Sequence, residues 1–209
     1  SPGTYQRVTI PGLPGFGFES PTPADTDGQT APPAFAPAII MRHRDTENHG
    51  GPTAPGDLLE MWSFDVDWST PANTTLITET SIDVSEFDSD LCGLTSFSCF
   101  PQPGSGTTLD PLREVIMNRL QYMNFGDYET LVGNFVTDVN GSDHGGVRWF
   151  ELRRTGSGPW TLHQEGTYAI DSDHRWMAAS AALQLSVSKT VSTTSRSEPP
   201  SMSPRVASA

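Results

Sequence analysis

The sequence predicts an all-β protein: a partial β-propeller-like array of antiparallel sheets with long Pro/Gly loops and a disordered C-terminal tail. Three observations carry this expectation. Residues 118–154 read as three short strands rich in Val, Tyr, Phe and Trp, separated by two Gly-bearing turns, the pattern of antiparallel hairpins. The chain holds 19 glycines and 18 prolines in 209 residues, well above the roughly 12% these residues ordinarily make up, so turns are plentiful. The strand-turn cadence groups into four-stranded units of about 40 to 50 residues, the size of a propeller blade. On that reading residues 1–185 form one domain of roughly four blades, and residues 186–209 form a tail.

The elements follow in order. Residues 4–10 alternate as a strand. Residues 11–37 are loaded with Pro and Gly and read as a long irregular loop, because Pro cannot donate to a ladder and Gly weakens one. Residues 36–41 form a buried strand and 42–57 a polar loop. In residues 58–68, Trp62, Phe64, Val66 and Trp68 fall on one face and Ser63, Asp65 and Asp67 on the other, the period of two of a half-buried strand. Residues 74–84 alternate again, and 88–106 are a loop. Residues 109–125 begin as one helical turn opened by Asp110 and Pro111 and end as a strand. Further strands are expected over 129–139, 146–154, 160–169 and 171–187. From Ser186 onward there is no aromatic residue, and such a segment buries too little apolar area to offset chain entropy.

Composition narrows the function. No run of 18 apolar residues exists, so no membrane-spanning helix is expected. The first residues lack a basic segment followed by an apolar one, so no signal peptide is read there. The net charge is −13, with Lys189 as the one lysine; this balance repels phosphate backbones and argues against nucleic acid. Residues 45–110 carry twelve carboxylates and no Lys or Arg. That is read as a solvated acidic surface, with calcium or a cationic partner as the functional alternative.

Several constellations are candidates for chemistry. Cys92 and Cys99 are too few ligands for a structural zinc site; a local disulfide is expected in an oxidising compartment, two free thiols otherwise. Asp138, Asn140 and Asp143 place oxygens along a turn in the manner of a calcium loop, although no Glu completes an EF-hand and the Asn-Gly pair equally serves a polar hairpin turn. Asp25-Thr26-Asp27-Gly28 and Asp88-Ser89-Asp90 are weaker sites of the same kind. Asp143 and Gly145 fit the Asp-box turn of sialidase-like propellers, while Gly141 and Trp149 do not. Asp127 and Glu129 flank Tyr128, and a glycosidase uses paired carboxyls or a Tyr nucleophile with an acidic helper. Arg119, Arg148, Arg153 and Arg175 would then hold a substrate carboxylate; ordinary cross-strand pairing is the competing reading. The five histidines show no ligand spacing, and the P-loop, dinucleotide and nucleophile-elbow patterns are missing. Trp62, Trp149, Trp160 and Trp176 are expected in the core rather than against a sugar.

Residues 109–141, 146–154 and 164–177, together with 25–41, 58–68 and 87–104, resemble a group of large secreted bacterial surface proteins that are mostly uncharacterised. The resemblance implies a β-propeller-like, extracellular region and carries over no catalytic residue. The group's pattern breaks off after Met177, so a truncated or frame-shifted gene is expected near residue 178. The resulting expectation is a secreted or cell-surface region, a non-catalytic binding or adhesion scaffold for an unknown ligand such as a glycan or a surface protein. The alternative is a glycan-active hydrolase on a sialidase-like propeller.

Overall fold

The computed structural model describes residues 7, 9, 20–49, 56–117 and 119–182. Ten strands are assigned: β1 (Thr22–Asp27), β2 (Ala38–Arg44), β3 (Asp57–Asp65), β4 (Thr75–Val84), β5 (Phe100–Pro101), β6 (Thr108–Leu109), β7 (Leu120–Asn124), β8 (Glu129–Asp138), β9 (Gly145–Arg154) and β10 (Thr161–Tyr168). Strands account for 45% and helix for 6% of the described residues, which establishes the all-β class. The short helix α1 (Thr46–His49) follows β2, and 3-10 turns lie at Pro71–Asn73 and Cys92–Leu94.

Eight strands make one sheet in the order β10-β9-β8-β7-β1-β2-β3-β4, curled into a half-barrel. It consists of two four-stranded antiparallel meanders, β1 to β4 and β7 to β10. The parallel pairing of β1 with β7, from Ala24↔Leu120 to Asp27↔Met123, joins them edge to edge. The four-stranded cadence read from the sequence is thus present. Both meanders are hydrogen-bonded into one sheet, however, with only β5 and β6 paired apart among the described strands, where a propeller would hold its blades as separate sheets.

Inward-facing positions supply the core. Ile39 and Met41, Leu59 and Met61, Ile82 and Val84, Leu120 and Tyr122, Leu131 and Phe135, and Phe150 and Leu152 form one buried cluster closed by Phe87, Ile116 and Trp160. A second cluster lies on the outer face of β8. There Val136 packs under Leu91 and Phe100, with Cys99, Leu109 and Trp176 around them. The Cys92–Cys99 bond, with Cα atoms 5.4 Å apart, closes the loop that carries this cover. The two outermost strands meet at one end of the sheet. Glu165 on β10 accepts hydrogen bonds from the Ser85 N–H and hydroxyl at 3.0 and 2.7 Å, and Arg148 donates to both Glu165 and the Ser85 carbonyl. This clasp covers part of the edges that an open sheet leaves unpaired.

Four expectations need correction. Residues 22–27 are a central strand, not loop. The ladder from β1 to β7 starts at Ala24, one residue past Pro23, so the proline's missing N–H falls at the strand's start, where it is tolerated. Residues 109–119 contain no helical turn among the described residues; Asp110 instead accepts the Leu112 N–H in a side-chain turn, and Leu112 has φ 53°. Strand β3 ends at Asp65, so Trp68 lies beyond it and stands 87% exposed, while Met61 is buried in the core and Trp62 is buried under Arg42. Residues 171–182 are not a strand: Asp171 pairs with Arg175 four residues on, and the Arg175 N–H caps the Gly145 carbonyl at 2.8 Å. The strand read at 4–10 and the tail from 186 lie outside the described residues, apart from Arg7 and Thr9.

Candidate functional site

The strands run end to end between two distinct rims. Strand β8 starts at Glu129 and finishes at Asp138, roughly 30 Å apart for ten extended residues. The Glu129 rim gathers the starts of β2, β8 and β10 and the end of β9. The Asp138 rim gathers Asp45, Asp57, Glu86 and the β8–β9 turn.

At the Asp138 rim, Glu86, Asp88, Asp138 and Asn140 line an open cleft of about 570 Å³. Burial, then repulsion from Asp57, Glu47 and Asp45, raises the Glu86 carboxyl. Burial raises Asp88 as well, with Asp138 adding repulsion. Behind them, Asp45, Glu47 and Asp57 bring carboxylate oxygens within 4.8 Å of one another. Glu47 is exposed, whereas Asp45 and Asp57 are buried structural acceptors: Asp57 takes the Thr46 and Phe87 N–H groups, both at 2.8 Å. Burial would raise Asp45, but hydrogen bonds from Ser89 and Asn48 outweigh it and hold the carboxyl low. Ser89 Oγ lies 2.9 Å from Asp45 and 3.2 Å from His49 Nε2. Ser89 is buried, so this serine is a strut and not a nucleophile.

The three residues read as a calcium turn have their side-chain oxygens engaged by backbone N–H groups. The Asp138 carboxylate accepts the N–H groups of Asn140, Gly141, Asp143 and His144. Asn140 accepts the Ser142 N–H, and Asp143 accepts the Cys92 N–H at 2.5 Å. The turn is therefore tied to the disulfide loop. Asp25 and Asp27 sit on β1 and pair with Arg119, while Asp88 accepts the Asp90 N–H.

The Glu129 rim holds the residues considered for catalysis. Tyr128, Glu129 and Arg154 line one cleft of about 380 Å³, walled on the other side by the loop carrying Phe35. Tyr128 stacks on Phe125 with ring centroids 5.0 Å apart, and the Arg153 guanidinium lies 4.5 Å over its ring. Glu129 is 5% exposed and forms an ion pair with Arg154, whose guanidinium lies 4.7 Å over Trp160. Burial and the adjoining Glu129 carboxylate push the Tyr122 phenol up, so it stays protonated. Asp127 is exposed in the turn ahead of β8 and does not line this cleft. The other arginines lie elsewhere: Arg148 at the far seam, Arg119 against β1, Arg175 on Asp171. Trp62 and Trp160 are buried, in line with a core role. Trp149 is half-buried over Gly166 and lines a further cleft beside Tyr128.

Sequence reasoning missed Phe35 and Arg154. Phe35 is fully exposed at φ 65°, a conformation that large residues rarely take. The signal available was an aromatic inside the Pro-rich run APPAFAP. No family model, curated protein or solved structure matches this chain.

Proposed function

We propose that this chain is a non-catalytic binding region of a secreted or cell-surface protein, with its ligand held by loops on a rigid sheet. One observation carries the reading: the groups a sialidase-like reaction would need are divided between the two faces of the sheet. Tyr128 sits with Arg153 and Phe125 on one side, while Glu129 sits with Arg154 and Trp160 on the other. A nucleophile and its acidic helper must reach one bond together, and the Glu129 carboxylate is already engaged by Arg154. Sites on loops over a rigid frame are the usual place for recognition. The Cys92–Cys99 bond supports an oxidising compartment, and the two four-stranded meanders support blade-like units within a larger surface protein.

The hydrolase alternative draws on Tyr128, Glu129 and Arg154 lining the same cleft. Turnover of a panel of fluorogenic glycosides separates the two readings. The expected result is no release of fluorophore by the native chain or by Glu129→Gln. Release by the native chain that disappears in the variant overturns the binding reading.

A further inference from the structure

The cleft at the Glu129 rim does not end at Tyr128. The same ring lines a second cleft of about 260 Å³ on the outer face, with Trp149, Glu151, Arg153 and Gln164. The two depressions share Tyr128 as a ridge. Along this run the chain presents Phe35, fully exposed, then Tyr128, then the half-buried Trp149. Aromatic faces spaced along a groove offer apolar platforms to rings stacked upon them.

The polar groups between those platforms are paired and already in place. Arg154 is held by Glu129. Arg153 donates to Glu151 at 2.6 Å, and the Gln164 amide donates to the other Glu151 oxygen, also at 2.6 Å. Each guanidinium is matched by a carboxylate, so the groove has no net charge to attract an ion. It does offer fixed, planar donors and acceptors beside apolar faces, the composition of sites where a few polar groups orient an otherwise apolar contact. The fitting ligand has apolar ring faces, a rim of vicinal hydroxyls, no charge, and more than one ring.

We infer that the run from Phe35 across Tyr128 to Trp149 binds a neutral oligosaccharide, Phe35 and Trp149 each taking one sugar ring, Tyr128 holding Arg153 between them, and the Arg153–Glu151–Gln164 network taking hydroxyls. This rests on the binding reading above and names its ligand class. The protein's strongly acidic charge adds a selectivity: sialylated or uronic acid chains are repelled.

A glycan microarray followed by calorimetry tests this on the full chain, using neutral oligosaccharides, acidic oligosaccharides and a proline-rich peptide as probes. Neutral oligosaccharides are expected to bind, acidic ones at least tenfold more weakly. Phe35→Ala and Tyr128→Ala should each weaken binding at least tenfold. Trp68→Ala, an exposed aromatic outside both clefts, should change it less than twofold. Phe35 is fully exposed, so its variant folds even where Tyr128→Ala does not. The inference is overturned by no binding to any neutral oligosaccharide, by binding that the Phe35 variant leaves intact, or by a preference for the peptide. Those failures leave the non-catalytic reading standing, whereas cleavage of a bound oligosaccharide refutes that reading and not the ligand class.

Discussion

Tyr128 and Glu129 are consecutive in the chain and face opposite sides of the sheet. Arg153 and Arg154, consecutive on the neighbouring strand, face apart in the same way, Arg153 over the Tyr128 ring and Arg154 on Glu129. Side chains alternate along a strand, so this divergence is built into the backbone. It turns two residues that look like a catalytic pair in the sequence into two separate structural pairs.

Glu129→Gln leaves Arg154 without its charge partner in a largely buried position. Breaking such a pair costs about 3 kcal/mol, and urea denaturation should show a loss of that size. Tyr128→Leu removes one cation–π contact and one ring stack, and should cost about 1 kcal/mol.

His43 should make stability pH-dependent. It is buried in the core, stacked on Phe135 with centroids 4.4 Å apart. Burial first, and then the neighbouring His49, lowers its pKa to about 4. The unfolded chain therefore takes up this proton first as pH falls. The stabilisation is whole above about pH 6.5 and is lost on the way down to about 4, on the order of 3 kcal/mol in all. The carboxyls of Asp57, Glu86 and Asp88, raised chiefly by burial, act with the opposite sign at lower pH, which makes pH 5 to 6.5 the informative window. Denaturation curves across that window should slope for the native chain and slope less for His43→Leu, the remainder coming from His49 and His174, which burial also lowers.

Gly133→Ala tests the packing between the sheet's inner face and its core. A Cβ there would lie 2.6 Å from the Phe150 ring and 3.2 Å from Ile116. Overpacking of this kind costs about 1 to 3 kcal/mol. A thermal melt unchanged from the native chain would mean that Phe150 does not sit across β8.

Replacing both Cys92 and Cys99 by serine opens the loop over Val136. Chain entropy for a loop this short predicts a loss of about 2 to 3 kcal/mol. The Leu91–Phe100 cover should also loosen, seen as faster amide exchange at Val136 than at Leu131 on the same strand.

The strands that were legible in the sequence are those with a clean period of two and a Gly or Pro at each end. Residues 129–138 and 145–154 differ from the expected bounds by a residue at most. Strand β1 was hidden because Pro23 and its polar neighbours carry no apolar alternation; its place comes from ladders to residues near Met41 and Leu120, far off in the chain. The same long-range pairing joins the two meanders, which local cadence cannot reveal. Trp68 was misplaced because β3 ends at Asp65, three residues before it, so the alternation that starts at Trp62 does not reach residue 68. At the candidate site, Tyr128 and Glu129 were visible as polar residues in a turn, whereas Phe35 and Arg154 become neighbours only through the fold.

The most direct test of the central claim is proton NMR of the full chain mixed with neutral oligosaccharides, followed over days. The account predicts saturation transfer from protein to sugar rings, lost in Phe35→Ala, with the anomeric signals unchanged throughout. Growth of new reducing-end signals that stops in Glu129→Gln would contradict it.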